Sequence, residues 1–381
     1  MTRPPRVVHV LGSVDRGGAE MRTLEVLRTL GADRVVACVV TLSGREGELA
    51  SAYRQAGVEI YPLAIHHVTF PHAFMQFLRH WRAEVVHSHV AFSSGPILAL
   101  ARLAGVSRRI AHLRSDGVPV SSLPWQKQIR ARLSRRLMWH AATKVLSVSP
   151  SALSNASINS KQMSKAEILP NGLDLTRFNP NIVRDVRSAI APGIREPLIV
   201  HVGRADVPTK NRQGALDYFV AYRRNGGKGH LIFVGRDCAS GGDQTGARRE
   251  WQARAHAMGV GQQVAFLGER SDIPEIMASA DLFLFTSTLE GLPGVVLEAR
   301  AVGTPTVSSS VPGAAFLAAE LGQIDIVHDE NPESWAAAMS NALMEPPTAT
   351  DRRRAHADLA GSSFDVARTA GRLERLWRGE N

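Results

Sequence analysis

The stretch that decides the fold is FTSTLEGLPGVVLEARAVGTPTVSS, which runs from Phe285 to Ser309. An apolar strand pattern leads into a Gly-Leu-Pro turn, a helical pattern follows, and a second strand pattern closes the stretch. We expect the helix to begin just after Gly291, where its first backbone N–H groups would form an anion site. A strand, a tight turn and a helix in this order are typical of parallel α/β architecture.

Two carboxylates, Glu290 and Glu298, lie eight residues apart on either side of the start of this helix. Each has an ordinary structural explanation, Glu290 as a turn residue and Glu298 as a stabiliser of the helix start. Carboxylates also accept hydrogen bonds from sugar hydroxyls, while a helix N-terminus donates to phosphates. The combination with the Gly-Leu-Pro turn therefore favours a site for a sugar phosphate.

The same alternation of β-branched runs and helical stretches covers the whole chain, with a break at 169–179. The strands predicted before the break are Val7–Leu11, Val35–Thr41, Glu59–Pro62, Val85–His87, Arg109–His112 and Val145–Val148. The strands predicted after it are Leu198–Val202, His230–Val234, Gln263–Leu267, Leu282–Thr286 and Thr304–Ser308. We therefore predict two doubly wound domains, 1–172 and 173–364, with a C-terminal helix at 365–381 that packs back on the first.

Length and composition agree with this division. The chain has 381 residues, more than the roughly 250–300 at which single cores stop growing. Its two cysteines, Cys38 and Cys238, form neither a disulfide framework nor a metal cluster and suit a reducing cytoplasm. No apolar run approaches the roughly 18 residues that span a bilayer. We interpret the basic and then apolar start, Met1–Val14, as a first strand and not a signal peptide.

The basic charge is concentrated in the first half of the chain. The net charge is +10, and residues 1–180 hold 23 Lys and Arg against 11 Asp and Glu. Such an excess attracts phosphates, in nucleic acids, anionic lipids or diphosphate ligands, although an ordinary solvated surface rich in arginine also explains it. Within it, 123–144 has apolar residues at helical spacing among the cations Lys127, Arg130, Arg132, Arg135 and Arg136. This pattern predicts either a surface helix with its apolar face in the core, or a helix that lies on an anionic membrane.

The stretch from Phe285 resembles the Glu-x7-Glu signature of retaining glycosyltransferase family 4, S-x-x-E-G-x-P-x-x-x-x-E-A-x-A-x-G-x-P. The matching residues are Ser287, Glu290, Gly291, Pro293, Glu298, Ala299, Ala301, Gly303 and Pro305. Five further stretches resemble family motifs in the family's order, namely GSVDRGGAE, EVVHSH, PNGLDLTRF, HVGRADVPTKN and FLGERSDIPEIMASADLFLFTS. The resemblance implies an α/β GT-B fold, in which two facing Rossmann-like domains hold the active site in the interdomain cleft. The first domain would then bind the acceptor and the second the nucleotide sugar.

The resemblance also implies roles for residues of the second half. Arg204 and Lys210 are similar to the pair that holds the donor diphosphate, although the family spacing between them is often one residue shorter. Glu298 would accept from the donor ribose, and Glu290 would contact the transferred sugar. The remaining donor-binding candidates are Gly291 and Leu292 through their N–H groups, and Glu269 and Arg270 beside the nucleobase.

In the first half, Gly17 and Gly18 resemble the glycine loop that approaches the diphosphate without a Cβ in the way. His112 closes a predicted strand and resembles the active-site histidine that contacts the donor sugar, so we expect it to point into the cleft. His89 and Asp116 are weaker candidates at neighbouring positions, and Arg114 is a candidate for binding an anionic acceptor.

The function implied by the resemblance is retaining transfer of a sugar from a nucleotide-diphosphate sugar. Two cations can neutralise the leaving diphosphate, so we expect no metal and no other cofactor to be required. UDP is the expected nucleotide because it is the commonest in the family, and the expected acceptor is a saccharide or a polyprenyl-diphosphate-linked saccharide. The expected location is the cytoplasm, at or near the inner membrane face, in bacterial surface polysaccharide or lipopolysaccharide synthesis.

Three other classes of protein share some of these sequence features. A non-hydrolysing nucleotide-sugar epimerase would share the two-domain architecture and is the main alternative. A nucleic-acid-binding protein fits the charge, but the arginines have no interleaved aromatic residues and no recognised module appears. A dinucleotide oxidoreductase would need GxGxxG spacing, which GSVDRGGAE lacks.

Overall fold

The structure is a computed structural model that describes residues 3–117, 123–156, 160–181, 184–239 and 241–380. It divides into two compact units, Met1–Asp174 together with Gly361–Asn381, and Leu175–Ala360. Each unit contains one sheet in which every recorded strand pair is parallel. Since parallel strands are covered by helices on both faces, their sequences are continuously apolar, which is why the strand patterns were readable.

The first unit has a seven-stranded sheet in the order β3-β2-β1-β4-β5-β6-β7. Its strands are β1 (Arg6–Leu11), β2 (Val36–Thr41), β3 (Glu59–Pro62), β4 (Val85–Ser88), β5 (Arg108–Leu113), β6 (Lys144–Ser147) and β7 (Ala166–Ile168). Its first six helices are α1 (Gly18–Leu30), α2 (Ala50–Gln55), α3 (Phe70–His80), α4 (Ser94–Leu103), α5 (Trp125–Ala141) and α6 (Pro150–Ala156). The strand order reverses between β1 and β4, which are adjacent in the sheet.

The second unit has a six-stranded sheet in the order β10-β9-β8-β11-β12-β13. Its strands are β8 (Leu198–Val202), β9 (His230–Val234), β10 (Val264–Phe266), β11 (Leu282–Phe285), β12 (Thr306–Ser309) and β13 (Ile324–Val327). Its helices are α7 (Arg187–Ile190), α8 (Arg212–Arg224), α9 (Gln244–Ala257), α10 (Ile273–Ser279), α11 (Gly294–Ala301), α12 (Pro312–Leu321), α13 (Pro332–Met344) and α14 (Ala349–Leu359). Here the strand order reverses between β8 and β11.

The last helix, α15 (Val366–Arg378), belongs to the first unit and packs against α1. Its apolar residues recur at helical spacing, and Leu373 and Trp377 are buried in the same core as the β1 side chains. An ion pair adds to this packing, because Arg372 donates two hydrogen bonds to Glu167 of β7 at 2.7 and 2.8 Å. The end of the chain is therefore an integral part of the first sheet's helical layer.

The predicted strands are all present, most of them shifted by one or two residues. Two strands were missed. β7 has only three residues with a charged one in the middle, and β13 has an aspartate in its second position, so neither gives a clear apolar run. Both lie at a sheet edge, where one side has no partner strand and a polar residue is tolerated.

Candidate active site

In the second unit, the loops after β8 and β11 meet where the strand order reverses, which is where open α/β sheets bind ligands. The backbone N–H of Thr288 donates to the carbonyl of Thr209 at 2.8 Å, and the Thr286 hydroxyl donates to the carbonyl of Asn211 at 2.9 Å. These bonds tie the two loops together and bring the ammonium of Lys210 into an ion pair with the carboxylate of Glu290. Two residues that lie 80 positions apart in sequence thus form one charged pair.

This ion pair is partly open to solvent, since the side chains of Lys210 and Glu290 are 26% and 20% exposed. The stem of Lys210 packs closely over the backbone of Gly203, where an added Cβ would come within 3.2 Å. Arg204 follows directly, with its side chain 43% exposed and its Nε 3.8 Å from the carboxylate of Asp206. The candidate diphosphate-binding cations therefore lie on one loop and remain accessible.

Helix α11 begins later in the chain than the sequence pattern predicts. The helix begins at Gly294, not just after Gly291, because Pro293 has an extended backbone conformation and serves as the N-cap. Gly291 and Leu292 therefore lie in the preceding turn, and the Leu292 side chain is buried. Helix geometry leaves the N–H groups of Gly294 and Val295 without intrahelical acceptors, so they are further candidate donors beside the predicted Gly291 and Leu292.

The shift also changes the electrostatics of Glu298. This residue is the fifth of α11 and lies in its second turn, half-buried. The favourable effect of the helix dipole on a carboxylate falls off within the first turn, so it does not account for the position of Glu298. Its candidate role depends on its ability to accept hydrogen bonds.

The loop after β10 contains the two candidates for the nucleobase. A carboxylate oxygen of Glu269 lies 4.0 Å from Nε of Arg236. Arg270 makes two hydrogen bonds to Asp272, at 2.8 and 2.6 Å, and this contact lowers the pKa of Asp272. The guanidinium is therefore held by its own loop. Asp272 is the N-cap residue of α10, but its side chain makes no capping hydrogen bond.

In the first unit, Gly17 is the N-cap of α1 and Gly18 is its first residue, after the loop that follows β1. Gly17 has φ −147°, a conformation open to any residue, so backbone strain does not explain the glycine. A Cβ on Gly18 would meet nothing within 4 Å. Neither geometry nor packing within the described residues demands glycine at position 18.

His112 lies in a buried cluster that the sequence analysis only partly found. The cluster consists of His9 of β1, His87 of β4, His89 just after β4 and His112 of β5. His9 and His87 are register partners in the sheet, and all four side chains are at most 7% exposed. The sequence does contain a signal for this cluster, since each of three apolar strands has one histidine inside it. Adjacent parallel strands bring such residues together.

The histidine cluster is neutral. Burial, and then the nearby charge of Arg114, lowers the pKa of His9 to about 3 and that of His112 well below its usual value, while the Leu169 backbone partly offsets the shift of His112. Arg114 donates to Nδ1 of His89 at 3.2 Å and also to the side chain of Asn171. Burial lowers the pKa of Arg114 to about 10, which leaves it charged at neutral pH.

Asp116, the weaker candidate, accepts a hydrogen bond from Ser151 of α6 at 2.8 Å. It also lines an apolar groove of about 780 Å³ beside α5, which we call the α5 groove. Phe92, Leu113 and Leu137 are among the apolar side chains along this groove. The groove offers room for an apolar chain in the unit that contains the histidine cluster.

Helix α5 presents an exposed apolar stripe to solvent. Trp125, Ile129 and Leu133, which we call the α5 stripe, are 68%, 46% and 58% exposed. The explanation that this whole apolar face lies in the core is therefore wrong, since only the last turn, with Met138 and Trp139, is buried there. Among the described residues, we find no helix whose length and apolarity would let it cross a bilayer.

The chain matches two family models. The model described as "Glycosyl transferases group 1" matches residues 196–345, and that described as "Glycosyl transferase 4-like domain" matches residues 17–172. A capsular polysaccharide biosynthesis glycosyltransferase, CapH of Staphylococcus aureus, is 25% identical over 374 residues, which is 98% of each chain. The putative glycosyltransferase EpsF of Bacillus subtilis is 27% identical over 314 residues, 80% of this chain and 79% of the relative.

Solved structures share the fold. Anabaena Alr3699/HepE, crystallised with UDP, has a TM-score of 0.80 at 20% identity, covering 99% of this chain and 100% of its own. WaaG, a glycosyltransferase involved in lipopolysaccharide biosynthesis, has a TM-score of 0.69 at 17% identity, covering 98% and 100%. The family matches favour a transferase over the epimerase of similar architecture. The chain belongs to the group 1, family 4-like glycosyltransferases, has their GT-B fold of two Rossmann-like domains, and is a glycosyltransferase.

Proposed function

We propose that this enzyme transfers a sugar, with retention of its anomeric configuration, from UDP-sugar to a lipid-linked saccharide during assembly of a bacterial capsular or exocellular polysaccharide. The observation that carries the proposal is the ion pair of Lys210 with Glu290 across two loops at the strand-order reversal of the second unit, with Arg204 on the same loop as Lys210. The names of relatives that act in capsular polysaccharide synthesis, and the UDP complexes of a structural neighbour, support the choice of pathway and nucleotide.

The donor site would combine cations with hydrogen-bond partners. Arg204 and Lys210 would hold the diphosphate and neutralise the charge that develops as the sugar leaves, so the reaction would need no metal. Gly291, Leu292 and the first N–H groups of α11 would donate to the sugar or phosphate. Glu298 would accept from the ribose, Glu290 from the transferred sugar, and the loop of Glu269 and Arg270 would border the base. Gly17 and Gly18 would give the diphosphate close access to the backbone.

The chemistry would proceed on one face of the sugar. The bond between the anomeric carbon and the diphosphate oxygen breaks, the acceptor oxygen bonds to the same face, and the departing diphosphate oxygen takes the acceptor's proton. His112 would donate a hydrogen bond to a sugar hydroxyl. No carboxylate base is needed in this scheme, which places the catalytic burden on Arg204 and Lys210.

The acceptor is proposed to carry a lipid because of two apolar features of the first unit. The α5 groove has the volume and lining for part of an apolar chain. The α5 stripe lies among Lys127, Arg130 and Arg132 on the same helix, a combination suited to an anionic lipid surface. We therefore place the enzyme at the cytoplasmic face of the membrane, where lipid-linked acceptors and nucleotide sugars meet.

The test is a binding panel followed by a product assay. UDP and UDP-sugars should raise the unfolding temperature by mass action, while ADP and GDP at equal concentration should not. The donor that stabilises best is then incubated with polyprenyl-diphosphate-linked saccharide, and NMR of the product gives the anomeric configuration. Stabilisation by no nucleoside diphosphate would refute the donor site, an inverted product would refute retention, and an epimer formed from donor alone would revive the epimerase.

A further inference from the structure

The histidine cluster joins the C-terminal helix to His112 through a chain of directed hydrogen bonds. The indole Nε1 of Trp377 on α15 lies 3.3 Å from Nδ1 of His87, and Nε2 of His87 lies 3.2 Å from Nδ1 of His112. An indole nitrogen can only donate, so Nδ1 of His87 must accept. The proton of neutral His87 is then on Nε2, which donates to His112.

This direction fixes the state of His112. Its Nδ1 accepts from His87, so its own proton is on Nε2. This buried nitrogen has no partner of standard hydrogen-bond geometry among the described residues, although the nearby Leu169 backbone acts to raise the pKa of His112. A second chain runs the same way, from Arg114 to His89 and then to His9 at 3.1 Å. Each series of hydrogen bonds begins at a group that can only donate, Trp377 or Arg114. The last histidine of each series, His112 or His9, is therefore protonated at Nε2.

We propose that Trp377 is a positioning residue, which acts through His87 to hold His112 as a donor from Nε2 toward the sugar. The proposal rests on the role of His112 in the proposed function. If His112 were free to shift its proton to Nδ1, Nε2 would present a lone pair, and a sugar hydroxyl would have to donate to it instead. The relay therefore sets the direction of this hydrogen bond, with the sugar hydroxyl as acceptor and His112 as donor.

Three of these four histidines also have the composition of a metal site. Ligand atoms of His9, His87 and His89 lie within 4.8 Å of one another. The hydrogen bonds argue against this use, because both nitrogens of His87 and of His89 are already engaged. A divalent cation would also lie beside the Arg114 guanidinium, which favours the relay over the metal.

The variant that tests the relay is Trp377→Phe, which keeps an aromatic ring against His9 and His87 and removes only the donor. The matched control is Trp139→Phe in the same unit, because Trp139 is also buried and its indole donates to the carbonyl of Ala156 at 2.8 Å, away from the histidines. Both variants lose one indole hydrogen bond and should lose similar stability.

Two readouts decide the outcome. Nitrogen NMR of histidine-labelled protein should show His87 and His112 protonated at Nε2 in the wild type and the control, and a mixture of tautomers in Trp377→Phe. The kcat of Trp377→Phe should fall about tenfold with little change in KM for the donor, and that of the control should not. Unchanged tautomers in Trp377→Phe, or stoichiometric metal in the purified wild type, would overturn the relay even if no transferase activity were found. Shifted tautomers with a normal kcat would overturn the positioning role while leaving the donor site of the second unit untouched.

Discussion

Replacing Glu290 by glutamine should tighten the binding of UDP while slowing transfer. In the structure the carboxylate of Glu290 neutralises the ammonium of Lys210, and both side chains are about three-quarters buried. Two unit charges at about 4 Å interact by about 4 kcal/mol at an effective dielectric constant of 20, and partial exposure reduces this to about 1 kcal/mol. With the carboxylate gone, that attraction becomes available to the diphosphate.

The expected change is a Kd for UDP that is about threefold to tenfold lower in Glu290→Gln than in the wild type, measured by calorimetry at 0.15 M salt. Lys210→Met should act in the opposite direction and raise the Kd about tenfold or more, because a charge-assisted contact is lost. Turnover of the UDP-sugar should fall in both variants, since Glu290 is proposed to contact the sugar and Lys210 the leaving group.

The control for net charge is Glu320→Gln, which removes the same charge from an exposed site on α12 of the same unit. It should leave the UDP affinity and the turnover unchanged. The reasoning is refuted if Glu290→Gln weakens UDP binding, or if Glu320→Gln tightens it equally, since the effect would then not come from the Lys210 pair.

Three further outcomes follow from the structure. Replacing the three α5 stripe residues by serine should lower binding to phosphatidylglycerol vesicles at least tenfold in sedimentation, whereas serine at the equally exposed Leu103 of α4 should not. Asp237→Asn should lower the free energy of unfolding in urea by about 3–5 kcal/mol, because the Arg212 side chain is only 2% exposed and its buried charge would lose its partner. A decrease of less than about 1 kcal/mol would contradict this. Glu167→Gln should cost about 1–2 kcal/mol at pH 7, because hydrogen bonds from Arg372 lower the pKa of Glu167 from 4.5 to about 2. This contribution to the free energy of unfolding is present above about pH 4.5 and is lost as the pH falls toward 2. The difference in unfolding free energy between wild type and variant should therefore shrink over this range. A difference that does not change with pH would exclude the ion pair as its cause.

The strands and the family signature could be predicted from sequence because their physical causes are local. Strand β8 (Leu198–Val202) is an uninterrupted apolar run, and buried parallel strands require one. The turn before α11 was also recognised, but not its last residue. Pro293 was expected inside a helix that had already begun, whereas its backbone conformation makes it the cap.

The pairings that build the site could not be predicted, because they depend on which strands are neighbours. Lys210 meets Glu290 only because β8 lies beside β11, and a sequence does not state strand order. His9 in VVHVL had the pattern of a core strand and gave no reason to connect it with His87, 78 positions later. Trp377 lies further still from both, at the other end of the chain. Long-range contacts of this kind are properties of topology and not of local pattern.

The charges of the two units suggest why the basic excess lies in the first half of the chain. The histidine cluster is kept neutral by burial, and Arg114 is the cation that contacts it. The proposed diphosphate site is in the second unit, and residues 181–381, which contain nearly all of that unit together with α15, hold no basic excess at all. Binding of the donor therefore does not explain the 23 basic residues before position 180.

Five of these basic residues, Lys127 to Arg136, are on α5 beside the exposed stripe, where an anionic membrane surface would bind both the charges and the apolar side chains. Replacing these cations by neutral residues should weaken vesicle binding without changing the Kd for UDP. If vesicle binding and UDP affinity both fell, the basic charge would contribute to donor binding.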